Sequence, residues 1–221
     1  IFPYELMMDH HGEAIARWGD EMAYHYHTWF WDGTAWTQHT FEPCLPDFEM
    51  TTAHFILDRN FFPCSFRSGW EWMDNYWNNY LDKWYPYRFE GKTPNGSWTP
   101  YHPSSTDWRL AGDCRGWECT RAYTPNVTAA QVEAAFAAAY QGRDQVICYW
   151  SHLKEVDFVT KISEVHSHFL AARQKYPMID FEYLTAREEM IKWQKSTDYT
   201  PPVVSVSTSD LNGVRTAAFS T

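Results

Sequence analysis

Short aromatic and β-branched runs alternate with segments of helical periodicity along most of this chain. That alternation constrains the fold more than any other feature, because strands joined by helices pair in parallel. The extended runs are residues 1–7, 22–27, 61–66, 84–88, 145–150 and 178–183. The helical segments are 11–18, 48–60, 70–81, 129–140, 157–175 and 185–195. Ala14, Ile15 and Trp18 share one helical face, as do Phe158, Ile162, Val165 and Phe169. Thr128 is placed to cap one helix, which Gly142 stops. Thr185 and Glu188 have the spacing of a capping box. Residues 30–47 read as a Pro-broken loop, and 90–127, rich in Pro, Gly and Ser, as a long irregular span of the kind that carries function. The pattern predicts one α/β unit over 1–197, a parallel sheet or barrel. Residues 198–221 read as a linker and the start of a β-rich module.

The composition narrows the function. The chain has 221 residues and a formal charge of −10, which argues against a general nucleic-acid binder, since such a protein needs a basic stripe. Aromatic residues make up 19%, with 13 Trp. They supply core area, and their faces also stack on the apolar faces of sugar rings. Five cysteines include no Cys-x-x-Cys pair, so a zinc ribbon is not indicated. Cys114 and Cys119 stand close enough to close a small loop in an oxidising compartment. Asn95-Gly96-Ser97 and Asn126-Val127-Thr128 match glycosylation sequons. There is no apolar run of membrane-spanning length and no signal segment. The chain opens at Ile1 in a strand-like run and is read as a piece of a longer protein. The sequence fixes neither compartment nor oligomeric state.

Within Glu21-Met22-Ala23-Tyr24-His25-Tyr26-His27, two histidines stand two apart on an extended run, so their imidazoles point to one side. Such a pair offers two nitrogens to one metal ion, or is a pair of packing or surface histidines. Its place at the end of a strand is where α/β folds keep their chemistry.

Taken in order, Glu21-Met22-Ala23-Tyr24-His25, Phe66-Arg67-Ser68-Gly69-Trp70 and Trp150-Ser151-His152 resemble three motifs of the polysaccharide deacetylase family. The resemblance runs over residues 1–195. It implies a distorted (β/α) barrel of the deacetylase type, incomplete at the N-terminus, and a divalent metal, zinc. His25 and His27 are then the metal ligands, Arg67 and His152 the catalytic pair, and Trp29, Trp70 and Trp150 the substrate-binding aromatics. It also implies a carbohydrate substrate that loses an N-acyl group. A metal-bound water, its pKa lowered to about 7, would attack the amide, and His152 would protonate the leaving amine. The chain departs from the family in four places. Trp29 stands where the family has its second metal histidine, Gly69 replaces a proline, and Trp150 replaces a leucine. The opening Thr-Phe-Asp-Asp-Gly motif is absent. The departures support a second reading, a barrel that binds carbohydrate without catalysis, and because loops rather than the fold set substrate pockets, another metal-dependent hydrolase of non-peptide C–N bonds is a third.

The other histidines draw weaker expectations. His166 and His168 lie on a predicted helix, point apart and read as surface. His10 and His11 open a helix and read as exposed. His54 is mid-helix, and His102, in the long loop, is a minor ligand candidate.

Overall fold

A computed structural model describes residues 2–38, 40–90, 98–152, 154–198, 205–211 and 214–220. In chain order the elements are α1 (Phe2–Trp18), β1 (Tyr24–Tyr26), β2 (Trp29–Trp31), β3 (Trp36–Gln38), α2 (Leu45–Arg59), β4 (Ser65–Ser68), α3 (Asn75–Leu81) and β5 (Tyr87–Arg88). Then come β6 (Trp117–Glu118), β7 (Arg121–Tyr123), α4 (Ala129–Tyr140), β8 (Cys148–Trp150), α5 (Phe158–Lys175), α6 (Ala186–Trp193), β9 (Ser205–Leu211) and β10 (Val214–Ser220).

The architecture is mixed α/β with parallel sheets, as the alternation predicts. One sheet has the order β1-β4-β5-β6, all parallel, and β7 pairs in parallel with β8. Only Cys119 and Thr120 separate β6 from β7, and the Cys119 N–H donates to the Arg88 carbonyl at 2.8 Å, which carries the β5 pairing past the end of β6. Strands adjacent in space are therefore successive along the chain, apart from the β2–β3 hairpin inserted after β1. Parallel pairing sets the C-terminal ends of β1, β4, β5 and β6 on one side and those of β7 and β8 together, and the Arg67 guanidinium over Trp150 brings the ends of β4 and β8 into contact.

Buried apolar clusters hold the helices on the strands, and two of them are the larger. Tyr24, Phe41, Phe48, Phe55, Phe66, Trp77, Leu81 and Tyr85 form a buried cluster under α2 and α3. It is aromatic but for Leu81, so much of the chain's aromatic content is structural; Phe41 and Trp77 stack at 4.8 Å. Val132, Phe136, Val165, Phe169 and Ala172 form a second cluster where α4 and α5 meet.

Several expected elements are corrected. Residues 1–7 are not a strand: helix α1 begins at Phe2, with Pro3 in its first turn, where a missing N–H costs nothing. Tyr4 then reaches the open edge of β1. Its hydroxyl donates to the Ala23 carbonyl at 2.6 Å and accepts the His25 N–H at 2.7 Å, two backbone groups that a further strand would otherwise pair. Tyr4→Phe is expected to cost about 1–3 kcal/mol by orphaning both. A denaturation midpoint unchanged from the parent would contradict this.

Residues 178–183 form no strand either. Phe181 packs on Phe136 and Phe169, and Tyr183 bonds His166, so this run packs on α4 and α5 and pairs with no strand among the described residues. A cavity of about 840 Å3 lies between it and β8. Residues 30–47 are not a plain loop; they hold the β2–β3 hairpin, a 3-10 turn and the start of α2. The helix expected over 70–81 starts only at Asn75, capped by Asp74, whose side chain accepts the Trp77 N–H. The long span 90–127 contains β6 and β7. The sequon at 95–97 and part of the expected linker lie outside the described residues, whereas the tail is β as expected, β9 and β10 pairing antiparallel. No helix among the described residues is long and apolar enough to cross a membrane.

Candidate functional site

The seven site residues expected from the sequence come from three separate stretches of the chain and meet in one contact network at the C-terminal ends of the strands. His25 lies on β1 and pairs with Arg67 of β4 in register. The His25 and His27 rings are 4.7 Å apart, edge to face. Trp70 stands 5.8 Å from the His27 ring and 4.5 Å from Trp29. The Arg67 guanidinium lies over Trp150 at 4.3 Å, and Trp150 is 5.0 Å from the His152 ring.

Hydrogen bonds fix the two imidazoles differently. His25 Nδ1 lies 3.0 Å from the Arg67 carbonyl, which can only accept, so the proton sits on Nδ1. The Nε2 lone pair then faces Arg67 Nη1 at 3.4 Å. Burial, and next the Arg67 charge, push the His25 pKa down to about 4. His27 is lowered too, first by burial and then by Arg67. Its Nδ1 accepts the Trp29 indole N–H at 3.3 Å, so its proton is on Nε2.

The turn after β4 is strained. Trp70 and Glu71 both adopt left-handed backbone, with φ of 53° and 57°. Non-glycine residues in that region cost about 1–3 kcal/mol each and gather at functional sites. Here the strain turns Trp70 outward, 61% exposed, over His27.

Sequence reasoning missed the charged layer beneath. Arg121, almost wholly buried, donates through Nε to the Phe89 carbonyl, and its Nη1 is 3.7 Å from Glu71. It lies 5.4 Å from Trp150, so two guanidinium groups flank one indole. Burial first, then Arg121, push the Arg67 pKa down to about 10. Arg67 Nε and both terminal nitrogens of Arg121 have no hydrogen-bond acceptor among the described residues. Glu90, after β5, accepts the Ser68 N–H at 3.0 Å and the Ser68 hydroxyl, while Glu118 accepts the Glu90 N–H at 2.7 Å. Nothing local in the sequence marks these residues beyond charges placed in or next to strand-like runs.

His152 is exposed, and its Nδ1 is 3.1 Å from Glu155. The Tyr123 hydroxyl, and then Lys161 and His152, hold Glu155 down at about 2. His102 lies apart, with Nδ1 3.1 Å from the Gly116 carbonyl and its ring 3.7 Å from Trp117. His166 is exposed and bonds Tyr183, and His54 pairs with Asp58. His10 and His11 lie within α1, exposed, rather than at its start.

A divalent metal does not fit these residues as they stand. Among the described residues no three His, Cys, Asp or Glu side chains are grouped to hold one. His25, whose Nε2 lone pair faces Arg67 Nη1 at 3.4 Å, has the Nδ1–H on a carbonyl that a ligating histidine has. His27 does not, because the Trp29 indole takes its lone pair.

The buried groups make opposing contributions to the pH dependence of stability. Burial raises Glu90, and burial together with Glu90's charge raises Glu118 to about 8. Burial raises Glu189 to about 7. The folded chain thus holds more protons than the unfolded one above the ordinary value of 4.5, and stability falls as pH rises toward 8. His25 acts oppositely: its folded value is lowered from 6.5 to about 4, so its contribution grows as pH rises between the two. The three raised carboxyls outweigh the lowered imidazoles, so denaturation midpoints are expected to fall overall from about pH 5 to pH 8, and Glu118→Gln should make that fall shallower. A midpoint rising steadily to pH 8 would refute the assignment.

Compared with protein-family models, with curated proteins and with solved structures, the chain matches none, so the reading of this site rests on its own residues.

Proposed function

We propose that this protein acts on an N-acylated glycan, as a hydrolase of the polysaccharide deacetylase type, with its parallel strands forming part of a distorted (β/α) barrel. One observation carries the reading. The residues picked out by motif order alone, His25, His27, Trp29, Arg67, Trp70, Trp150 and His152, form one contact network. An exposed indole beside paired imidazoles suits a sugar ring bearing a polar substituent.

In this reading Trp70 and Trp29 bind the ring, and Arg67 holds charge that develops on the acyl oxygen. His152, its Nδ1 held by Glu155, turns Nε2 to the leaving amine. A divalent metal, zinc by the family resemblance, belongs to it only with a third ligand and with His27 freed from Trp29. That misfit favours a second reading, glycan binding without hydrolysis.

Acetate release from N-acetylated oligosaccharides, with and without added zinc, separates the two. The first reading expects zinc-dependent release that Arg67→Lys lowers by roughly a hundredfold. Saturable binding with no acetate would leave the second reading standing, and absence of both would overturn each.

A further inference from the structure

We propose that the β2–β3 hairpin extends the sugar-binding surface, so that Trp31 and Trp36 hold glycan residues next to the one over Trp70 and Trp29. The ligand is then an extended oligosaccharide rather than a single sugar. This rests on the glycan reading above and adds two residues that it does not use.

Trp29 and Trp31 are two apart on β2 and share one face, about 7 Å apart along the strand, the scale of one sugar residue. Trp36 of β3 is the register partner of Trp31, and their rings are 5.7 Å apart. A cross-strand pair lies on the same face, so Trp29, Trp31 and Trp36 line one side of the hairpin. Both outer indoles remain open to water, Trp31 at 48% and Trp36 at 62% exposure. The row is continuous with the site: Trp29 touches Trp70 at 4.5 Å and donates its indole N–H to His27.

The surface is pre-set. Asp32 Oδ1 accepts the N–H groups of Thr34 and Ala35 and the Thr34 hydroxyl, and the Asp32 N–H donates to the Ala35 carbonyl. Gly33 supplies the left-handed residue at φ 104° that the tip requires. Asp32 is the one charged residue from Trp29 to Gln38, so the hairpin offers aromatic faces and amide or hydroxyl groups, a match for a neutral sugar chain. A hairpin held by its own turn loses little entropy on binding.

The test is a ladder of N-acetylated chito-oligosaccharides of increasing length, titrated calorimetrically against the whole chain. Each further ring engaged is expected to tighten binding roughly two- to tenfold, until the hairpin is covered. The Trp31→Ala, Trp36→Ala double variant is expected to lose that dependence on length, while Trp70→Ala weakens every oligomer. Circular dichroism checks that the double variant stays folded, and the milder Trp31→Phe, Trp36→Phe pair should keep part of the dependence. Equal affinity for short and long oligomers overturns the inference and leaves the glycan reading intact. A double variant with undiminished dependence on length, or one that turns a parent dimer into a monomer, overturns it also, the latter marking the hairpin as a contact between copies. No binding of any oligomer defeats both readings.

Discussion

Gly69→Ala is expected to dismantle the imidazole pair and to destabilise the fold by about 1–3 kcal/mol. The reason is space. A Cβ at Gly69 would lie 2.2 Å from His27 Cγ and 2.3 Å from Nδ1, far inside contact distance. The ring has little room to retreat: His25 stands 4.7 Å away, Trp70 5.8 Å, and the Trp29 indole is bonded to Nδ1. It must swing out and break the Trp29 bond. Nitrogen-15 spectra of the His27 ring, a denaturation midpoint and oligosaccharide affinity should all change together. Gly12 is the control. It lies inside α1, nothing comes within 4 Å of a Cβ placed there, and Gly12→Ala should stabilise by about 0.5–1 kcal/mol. A Gly69→Ala protein with parental stability and affinity would show that His27 is not held against the β4 turn.

Glu90→Ala carries the largest expected loss of stability, about 3–5 kcal/mol. Glu90 is wholly buried and accepts both the N–H and the hydroxyl of Ser68, the residue on which β4 ends. Its carboxylate also faces Arg121 and Arg67, whose charges oppose the upward pull of burial on its pKa. Truncation leaves Ser68 without its acceptor and takes from Arg121 and Arg67 one of the two carboxylates near them, Glu71 being the other. The effect should reach the site, since Ser68 precedes Gly69 and Trp70. Glu90→Gln keeps an acceptor for Ser68 and should cost much less. Chemical denaturation of both variants checks the order; equal losses would mean that the negative charge rather than the hydrogen bond to Ser68 holds β4 at this point.

What the sequence disclosed was local. Thr128 caps α4, which starts where that cap predicts, although the Gln131 half of its box shows only in the structure, and Thr185 with Glu188 closes the expected capping box. Such signals are readable because both partners lie within one turn. The sequence places His25 and Arg67 each near a strand end, but their pairing across 42 residues was not legible. The misreadings were local as well. The run from Ile1 has the bulk of a strand, yet Tyr4 serves as the helix residue that closes the β1 edge. The run 178–183 has the alternation of a strand, yet Phe181 and Tyr183 find their partners on α5. Propensity yields when the tertiary partner is a helix face.

The sequence by itself determined the alternation of strand and helix, hence parallel pairing, and the order in which the site motifs appear. Only the tertiary structure decided that these motifs touch, that the Trp29 indole occupies His27, and that Arg121, Glu90 and Glu118 lie beneath them. The physical reason is distance along the chain. Periodicity and capping act over a few residues, whereas the burial of a charge and the partner of an imidazole depend on strands brought together from sequence positions far apart. Gly69 shows the difference in one residue: in the sequence it is a departure from a motif, and in the fold it is the space that His27 fills.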